Sequence, residues 1–301
     1  MIGRYPGRCA FAVMTIGLAA LLGGCSSIEP VPASTSLGVS GAEIPGSFEH
    51  GLFIAEAMID GVGPFRLVVD TGSDAVALRP EAVERLDIEP AGRSIITDGA
   101  GSHGVTAGAV RIDSLKLGAF EVRGLDAIVH GFSSLQELFD APIDGVVGFP
   151  VFSEVALVFD QRAASVRVVP PPAEPPPGPG AFRMSGKRAR IDLPLFGRSF
   201  RVLVDTGANT TLDLRRKDLA PDLYTAVGAQ SARTLRSSVS RELVELDRAF
   251  EFAGRSIDDA SVYIGGRSRI LGTAWMKPFR VTFDQINRVI VFQPSEQDPG
   301  S

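Results

Sequence analysis

Cysteine and histidine are scarce in this chain of 301 residues, with two of the first and three of the second. That leaves too few thiolates and imidazoles for a metal cluster. Tryptophan and tyrosine are nearly as rare, at one and three, while phenylalanine contributes 18 residues. A core of Phe, Val and Leu follows. Positive charge is not in excess: Lys and Arg number 30 against 35 acids, for a net charge of −5. No nucleic-acid partner is therefore expected, because gripping phosphates takes a basic face. Beyond the N-terminus no apolar run approaches the ~20 residues needed to span a bilayer. What is present, 45% hydrophobic and 22% charged residues with 33 Gly and 21 Pro, is the composition of a globular protein with a real core. Collagen, coiled coil and wholesale disorder are excluded. The length alone suggests about two domains.

The N-terminus reads as an address. Residues 1–8 carry Arg4 and Arg8 and no acid, residues 9–22 are apolar, and Leu22-Gly23-Gly24-Cys25 follows. A charged start, a short apolar run and small residues at its end make a signal peptide over 1–24. The ending resembles a bacterial lipobox, in which Cys25 is lipidated and becomes the new N-terminus; a plain signal peptide or an uncleaved anchor is the alternative. Cleavage would leave 277 residues with a charge of −7, since Arg4 and Arg8 depart and no acid does. Residues 25–46, rich in Ser, Pro, Gly and Ala, are expected to be a flexible tether. The expected location is the bacterial cell envelope, lipid-anchored and facing the periplasm or the exterior.

The rest of the chain is written twice. Phe65-Arg66-Leu67-Val68-Val69-Asp70-Thr71-Gly72-Ser73-Asp74 aligns with Phe200-Arg201-Val202-Leu203-Val204-Asp205-Thr206-Gly207-Ala208-Asn209, identical at six of ten positions. Val146-Val147-Gly148 recurs as Ile270-Leu271-Gly272, and Val158-Phe159-Asp160-Gln161 as Thr282-Phe283-Asp284-Gln285, in the same order. Such self-similarity marks a duplicated unit. Between the copies, seven of the eleven residues 170–180 are proline, a run that cannot enter a sheet interior. The expected organisation is an N-terminal lobe over 47–169, a linker over 170–181, a C-terminal lobe over 182–294 and a polar tail over 295–301. Short runs of Val, Leu, Ile and Phe bounded by Gly, Asp and Ser predict mostly strand. Brief helical signals appear at 80–86, opened by a proline, and at Ser134-Leu135-Gln136-Glu137, which has capping-box form.

A single Asp-Thr-Gly is a common turn sequence. Two, each after an apolar strand and each followed by an apolar-apolar-Gly, agree independently. The set resembles the aspartic peptidases of the pepsin and retropepsin type, and the segment after Asp70 looks especially like bacterial retropepsin-like sequences. The resemblance covers most of 47–294. It implies an all-β bilobal fold, two related β-barrel lobes with pseudo-twofold symmetry and a cleft between them. It also implies a catalytic dyad of Asp70 and Asp205.

The chemistry is consistent with that. Two adjacent carboxyls repel when both are ionised, so one proton is retained. The ionised one can then activate a water, and the protonated one can donate to the carbonyl oxygen or leaving nitrogen. Thr71 and Thr206 are expected to hydrogen-bond across the loops. Gly72 and Gly207 are expected to turn the backbone tightly and aim N–H groups at the carboxyls. Ser73 could donate to Asp70 whereas Ala208 could not donate from its side chain to Asp205, which would favour Asp70 as the ionised base. The resemblance also implies a covering hairpin. The candidate is 98–104, with Gly99, Gly101, His103 and Gly104; it lacks the Tyr of pepsin-like flaps, and its second-lobe counterpart near 228–239 is more polar. Arg66 and Arg201 are expected at strand faces, Trp275 in the core, and Asp160 and Asp284 in hairpin turns.

The expected activity is aspartic endopeptidase, with an extended polypeptide as substrate, no metal and no cofactor. A monomer suffices, since both Asp lie on one chain. Rival readings are a catalytically inactive peptide-binding envelope lipoprotein of the same fold, a structural lipoprotein with incidental Asp turns, and a glycosidase with paired carboxylates.

Overall fold

The computed structural model describes residues 34–36, 41–89, 92–96, 105–131, 136–186, 188–233 and 238–295. The proposed lipidation site Cys25 and the flap candidates Gly99, Gly101, His103 and Gly104 lie outside them.

The first lobe is a ring of strands. Leu52–Ile59 pairs antiparallel with Val62–Asp70, which runs parallel to Gly145–Gly148. The order continues through Val76–Leu78 and Phe120–Val129 to Val105–Leu117. Val105–Leu117 returns to Leu52–Ile59 through the pairs Met58 with Lys116 and Ile59 with Leu115, closing six strands into a barrel. Closure buries the inward face of the central strands, and Phe139 and Ile143 cover Val68 and Val146 on the outward one, which is why residues 67–70 and 145–148 are consecutively buried rather than alternating. The interior is filled by large side chains including Phe53, Phe65, Phe120 and Phe152.

The second lobe repeats this order in Arg190–Leu195, Arg198–Val204, Ile270–Leu271, Leu212–Leu214, Ser261–Ile264, Ser238–Leu246 and Tyr224–Arg233. Among the described residues the run stays open at its ends. A separate hairpin, Phe250–Phe252 with Arg255–Ile257, carries Phe252 into a cluster with Trp275, Phe279 and Phe292. Trp275 is 9% exposed and also stacks on Phe250 at 5.8 Å.

A six-stranded sheet joins the lobes. At its centre Ala156–Asp160 pairs antiparallel with Phe279–Asp284, and Val158 faces Thr282. These two residues occupy the same place in the sequence repeat, so the pseudo-twofold axis passes between them. Outside them lie Ser165–Val169 and Val289–Pro294. Asp160 accepts from the Ala163 N–H and the Ser295 hydroxyl, and Asp284 from the Asn287 N–H and side chain, each at the turn of its hairpin. Residues 170–180, the proline-rich stretch, enter no strand and lead into Ala181–Arg183 at the sheet edge. The architecture is all-β, with two related barrel lobes of the aspartic-peptidase type.

One sequence expectation needs correction. Residues 25–46 are not a tether throughout. Ser34–Ser36 pairs with Phe120–Val129, Ala42–Glu43 pairs with Ser165–Val169, and Ile44 is 2% exposed. Their small polar composition concealed the fact that the edges of both sheets offer unpaired backbone groups. Helical punctuation reads more simply. Pro80–Leu86 starts with its proline and ends at Asp87 in the left-handed region. The capping-box Ser134 and Leu135 lie outside the described residues, while Gln136 ties its loop by accepting the Ile143 N–H.

Candidate active site

Each Asp-Thr-Gly leaves the end of a strand held from the side by its apolar-apolar-Gly. Val147 lies beside Val69 and Gly148 beside Asp70, while Leu271 lies beside Val204 and accepts the Asp205 N–H at 2.9 Å. Both flanking glycines are required by contact. A Cβ on Gly148 would collide with the Ala75 carbonyl, and one on Gly272 would come within about 2.5 Å of the Ala208 and Thr210 carbonyls.

The two loops are tied to each other through their threonines. Thr71 Oγ1 donates to the Val204 carbonyl at 2.7 Å and accepts the Thr206 N–H at 3.0 Å. Thr206 Oγ1 donates to the Val69 carbonyl at 2.8 Å and accepts the Thr71 N–H at 3.0 Å. All four bonds are buried and all cross between lobes. They hold the residues next to each Asp in one fixed relation.

Asp70 is 1% exposed and Asp205 is fully buried. Asp70 Oδ1 accepts the N–H groups of Gly72 at 2.7 Å and Ser73 at 3.1 Å. Asp205 Oδ1 accepts the Gly207 N–H at 2.9 Å. The remaining oxygens, Oδ2 of each, are buried with no hydrogen-bond partner among the described residues. Each glycine faces the carboxyl of the opposite lobe. A Cβ on Gly72 would stand about 2.5 Å from Asp205 Oδ2, and one on Gly207 would run into the Asp70 carboxyl.

That changes the reason for the glycines. Neither Gly72 nor Gly207 has a positive φ, so a tight turn does not require them. The close approach of the second carboxyl does. The expected N–H groups are present. The Ser73 expectation is corrected as well: its hydroxyl donates to the Ala75 carbonyl at 3.0 Å rather than to Asp70, and its backbone N–H is the donor. Asp70 still has one more donor than Asp205, but the backbone supplies it.

Burial pushes both carboxyls upward. Asp70 is held well above the ordinary carboxylate range, first by burial and then by the charge of Asp205. Asp205 rises to about 7, chiefly through burial. The extra push on Asp70 is the cost of placing a second negative charge beside the first, so it belongs to the pair. Such a pair keeps one proton through the acidic range. Among the described residues no cluster of His, Cys, Asp and Glu is suited to a metal ion.

Around the pair, Ala208 is buried and its carbonyl accepts the Thr273 N–H and hydroxyl. The hairpin whose tip spans the flap candidates is seen in its two strands, Gly92–Ile96 and Val105–Leu117, paired through Ile96 and Val105. The second lobe has a hairpin in the same place, Tyr224–Arg233 with Ser238–Leu246. Arg66 binds Glu49 at 2.9 Å and Arg201 binds Asp192 at 3.3 Å, both on strand faces. Sequence reasoning missed Asp213 and Arg241. They form an ion pair buried within the second lobe, with Thr210 donating to Asp213 and the Arg241 guanidinium 4.3 Å above the Tyr263 ring. An Asp inside the apolar Leu212–Leu214 strand was the available signal.

The family model for aspartyl proteases matches residues 55–151, which hold Asp70 and Gly148 and lie in the first lobe. No curated protein matches the chain. The match supports the aspartic-peptidase superfamily and a protease-type function for this fold.

Proposed function

We propose that the chain is an aspartic endopeptidase in which Asp70 and Asp205 share one proton and activate a water between them. The observation that carries this reading is the pair of buried Oδ2 atoms, which no donor from another described residue reaches and which have the opposite carboxyl to share a proton with, each against the glycine of the opposite loop. Two carboxyls of a purely structural site would be expected to gain partners, since burying them bare is costly. A water lodged between the Oδ2 atoms loses a proton to the charged carboxyl as it attacks the peptide carbonyl. The protonated carboxyl gives its proton to the carbonyl oxygen, and the tetrahedral intermediate then breaks as the departing nitrogen is protonated. The extra N–H donor favours negative charge on Asp70. An extended peptide binds between the lobes by strand-like backbone hydrogen bonds, and one chain supplies both acids, so a monomer suffices.

The same proposal places the enzyme in the bacterial envelope, with Cys25 lipidated and the chain before residue 34 as the tether. The test is the mature chain with denatured protein as substrate between pH 3 and 8, alongside Asp70→Asn and Asp205→Asn. Cleavage lost in both variants is the expected result. Cleavage surviving either substitution, or none under any condition, favours a peptide-binding lipoprotein of the same fold. Metabolic labelling with a fatty acid, lost in Cys25→Ser, tests the anchor.

A further inference from the structure

The lobes present unlike faces beside the dyad. In the strand that carries each Asp, Val69 and Val204 point into the main core, while Val68 and Leu203, one residue earlier, point to the opposite face. In the first lobe that face is apolar and closed: Leu52, Ile54, Val68, Ala77 and Val146 form a buried cluster of their own with Phe139 and Ile143. The strand registers identify the second-lobe counterparts. Ile54 faces Val68 as Arg190 faces Leu203. Ala77 faces Val146 as Asp213 faces Ile270. Leu203 and Ile270 keep the apolar character of Val68 and Val146, while Arg190 and Asp213 put charges where Ile54 and Ala77 stand.

The charges on that face do not cancel. Arg241 is paired with Asp213 inside the lobe. Arg188 reaches across to Asp74, four residues beyond Asp70 in the first catalytic loop. Arg190 follows Arg188 by two residues and makes no ion pair of its own among the described residues, although the Asp74 carboxylate that Arg188 binds also acts on it. It is half-buried, and burial followed by the Arg188 charge pushes its pKa down. A partly desolvated guanidinium beside a second one is a site for an anion, and its planar fork suits a carboxylate held by two hydrogen bonds.

We propose that the second-lobe side of the cleft takes an acidic side chain of the substrate, Asp or Glu, held by Arg190, a site with no open counterpart in the first lobe. This rests on the endopeptidase reading and names its substrate class. Sequence preference is then lopsided across the scissile bond, although the lobes share an origin.

The experiment uses matched short peptides with Glu, Gln or Lys placed in turn at each position flanking the cleaved bond. At one position the wild-type protein is expected to favour Glu over Gln about tenfold in kcat/KM, equivalent to about 1.4 kcal/mol. Lys ranks last there. Arg190→Gln levels the series, and Arg190→Glu inverts it toward Lys. A wild-type preference for apolar residues at every position overturns the proposal, and so does a Glu preference that persists in Arg190→Gln. A second arm measures binding of the Glu and Gln peptides to Asp70→Asn by calorimetry. If the wild-type protein cleaves nothing, a tenfold tighter Glu peptide keeps the acidic site while the endopeptidase reading falls. Equal affinities overturn the site itself.

Discussion

The two lobes come from one pattern, yet they have diverged unequally. Where they meet they are nearly twofold-related copies. Each threonine reaches into the other lobe and each glycine sits against the other lobe's carboxyl. Away from the axis the first lobe closes into a ring with an apolar satellite cluster, whereas the second, among the described residues, stays open and buries an ion pair at the matching position. The contrast teaches where symmetry is enforced. A shared proton and reciprocal hydrogen bonds need both partners in register. A face that meets only its own half of a substrate has no such constraint.

The sharpest way to break the symmetry is at the dyad. Asp70→Asn and Asp205→Asn are each expected to lower kcat/KM by about a thousandfold or more, near the upper end of what acid–base groups contribute. Unequal losses, measured with one peptide at one pH, would show that one carboxyl does most of the work.

The next largest effect belongs to the second lobe alone. Arg241→Met leaves Asp213 buried without its partner, and breaking such a pair costs about 3–5 kcal/mol. Adding Asp213→Leu should restore most of that in chemical denaturation, because an apolar pair matches the environment of Ala77. If the double variant is as unstable as the single, the pair is not the lobe's counterpart of an apolar contact.

The threonines test reciprocity. Thr71→Val and Thr206→Val each strand a buried carbonyl and N–H of the opposite lobe, for about 1–3 kcal/mol apiece. Equal destabilisation is expected, and a clear inequality would mean that one lobe holds the other.

Acidity sharpens the comparison further. The raised carboxyls hold a proton in the folded state that the unfolded chain releases near pH 4. Their contribution is therefore most favourable below about pH 4 and is lost as pH rises toward about 7. Asp205→Asn should raise Tm above wild type by on the order of 5 °C at pH 8, with the gap closing near pH 4. Activity should decline at alkaline pH, as the shared proton leaves. The smallest effect is Ser73→Ala. Since the backbone N–H is the donor to Asp70, the acid limb of the pH–rate profile should barely move.

Much of the site was legible before any coordinates. Asp70, Thr71 and Gly72, with Asp205, Thr206 and Gly207, stood out because one tripeptide closes two apolar strands, and each strand has its own apolar-apolar-Gly further on. Ordinary turns do not recur in that order. The illegible parts depended on what approaches from elsewhere in the chain. Ser73 has a hydroxyl able to donate to Asp70, but the Ala75 carbonyl competes for it locally. Residues 34–36 look like linker, yet Phe120–Val129 offers them an edge. Arg190 looks like an ordinary strand residue until its register sets it opposite Leu203.

The sequence by itself determined the repeated pattern, the all-β class and the six residues at the meeting of the lobes. Local periodicity and repeated motifs survive in a linear string. The tertiary structure alone decided that each glycine answers to the opposite carboxyl, that the Thr71 and Thr206 bonds are reciprocal, and that one lobe's face carries charges where the other's is apolar. Those facts depend on contacts between residues far apart in the chain, and on which face of a strand meets water, core or the partner lobe.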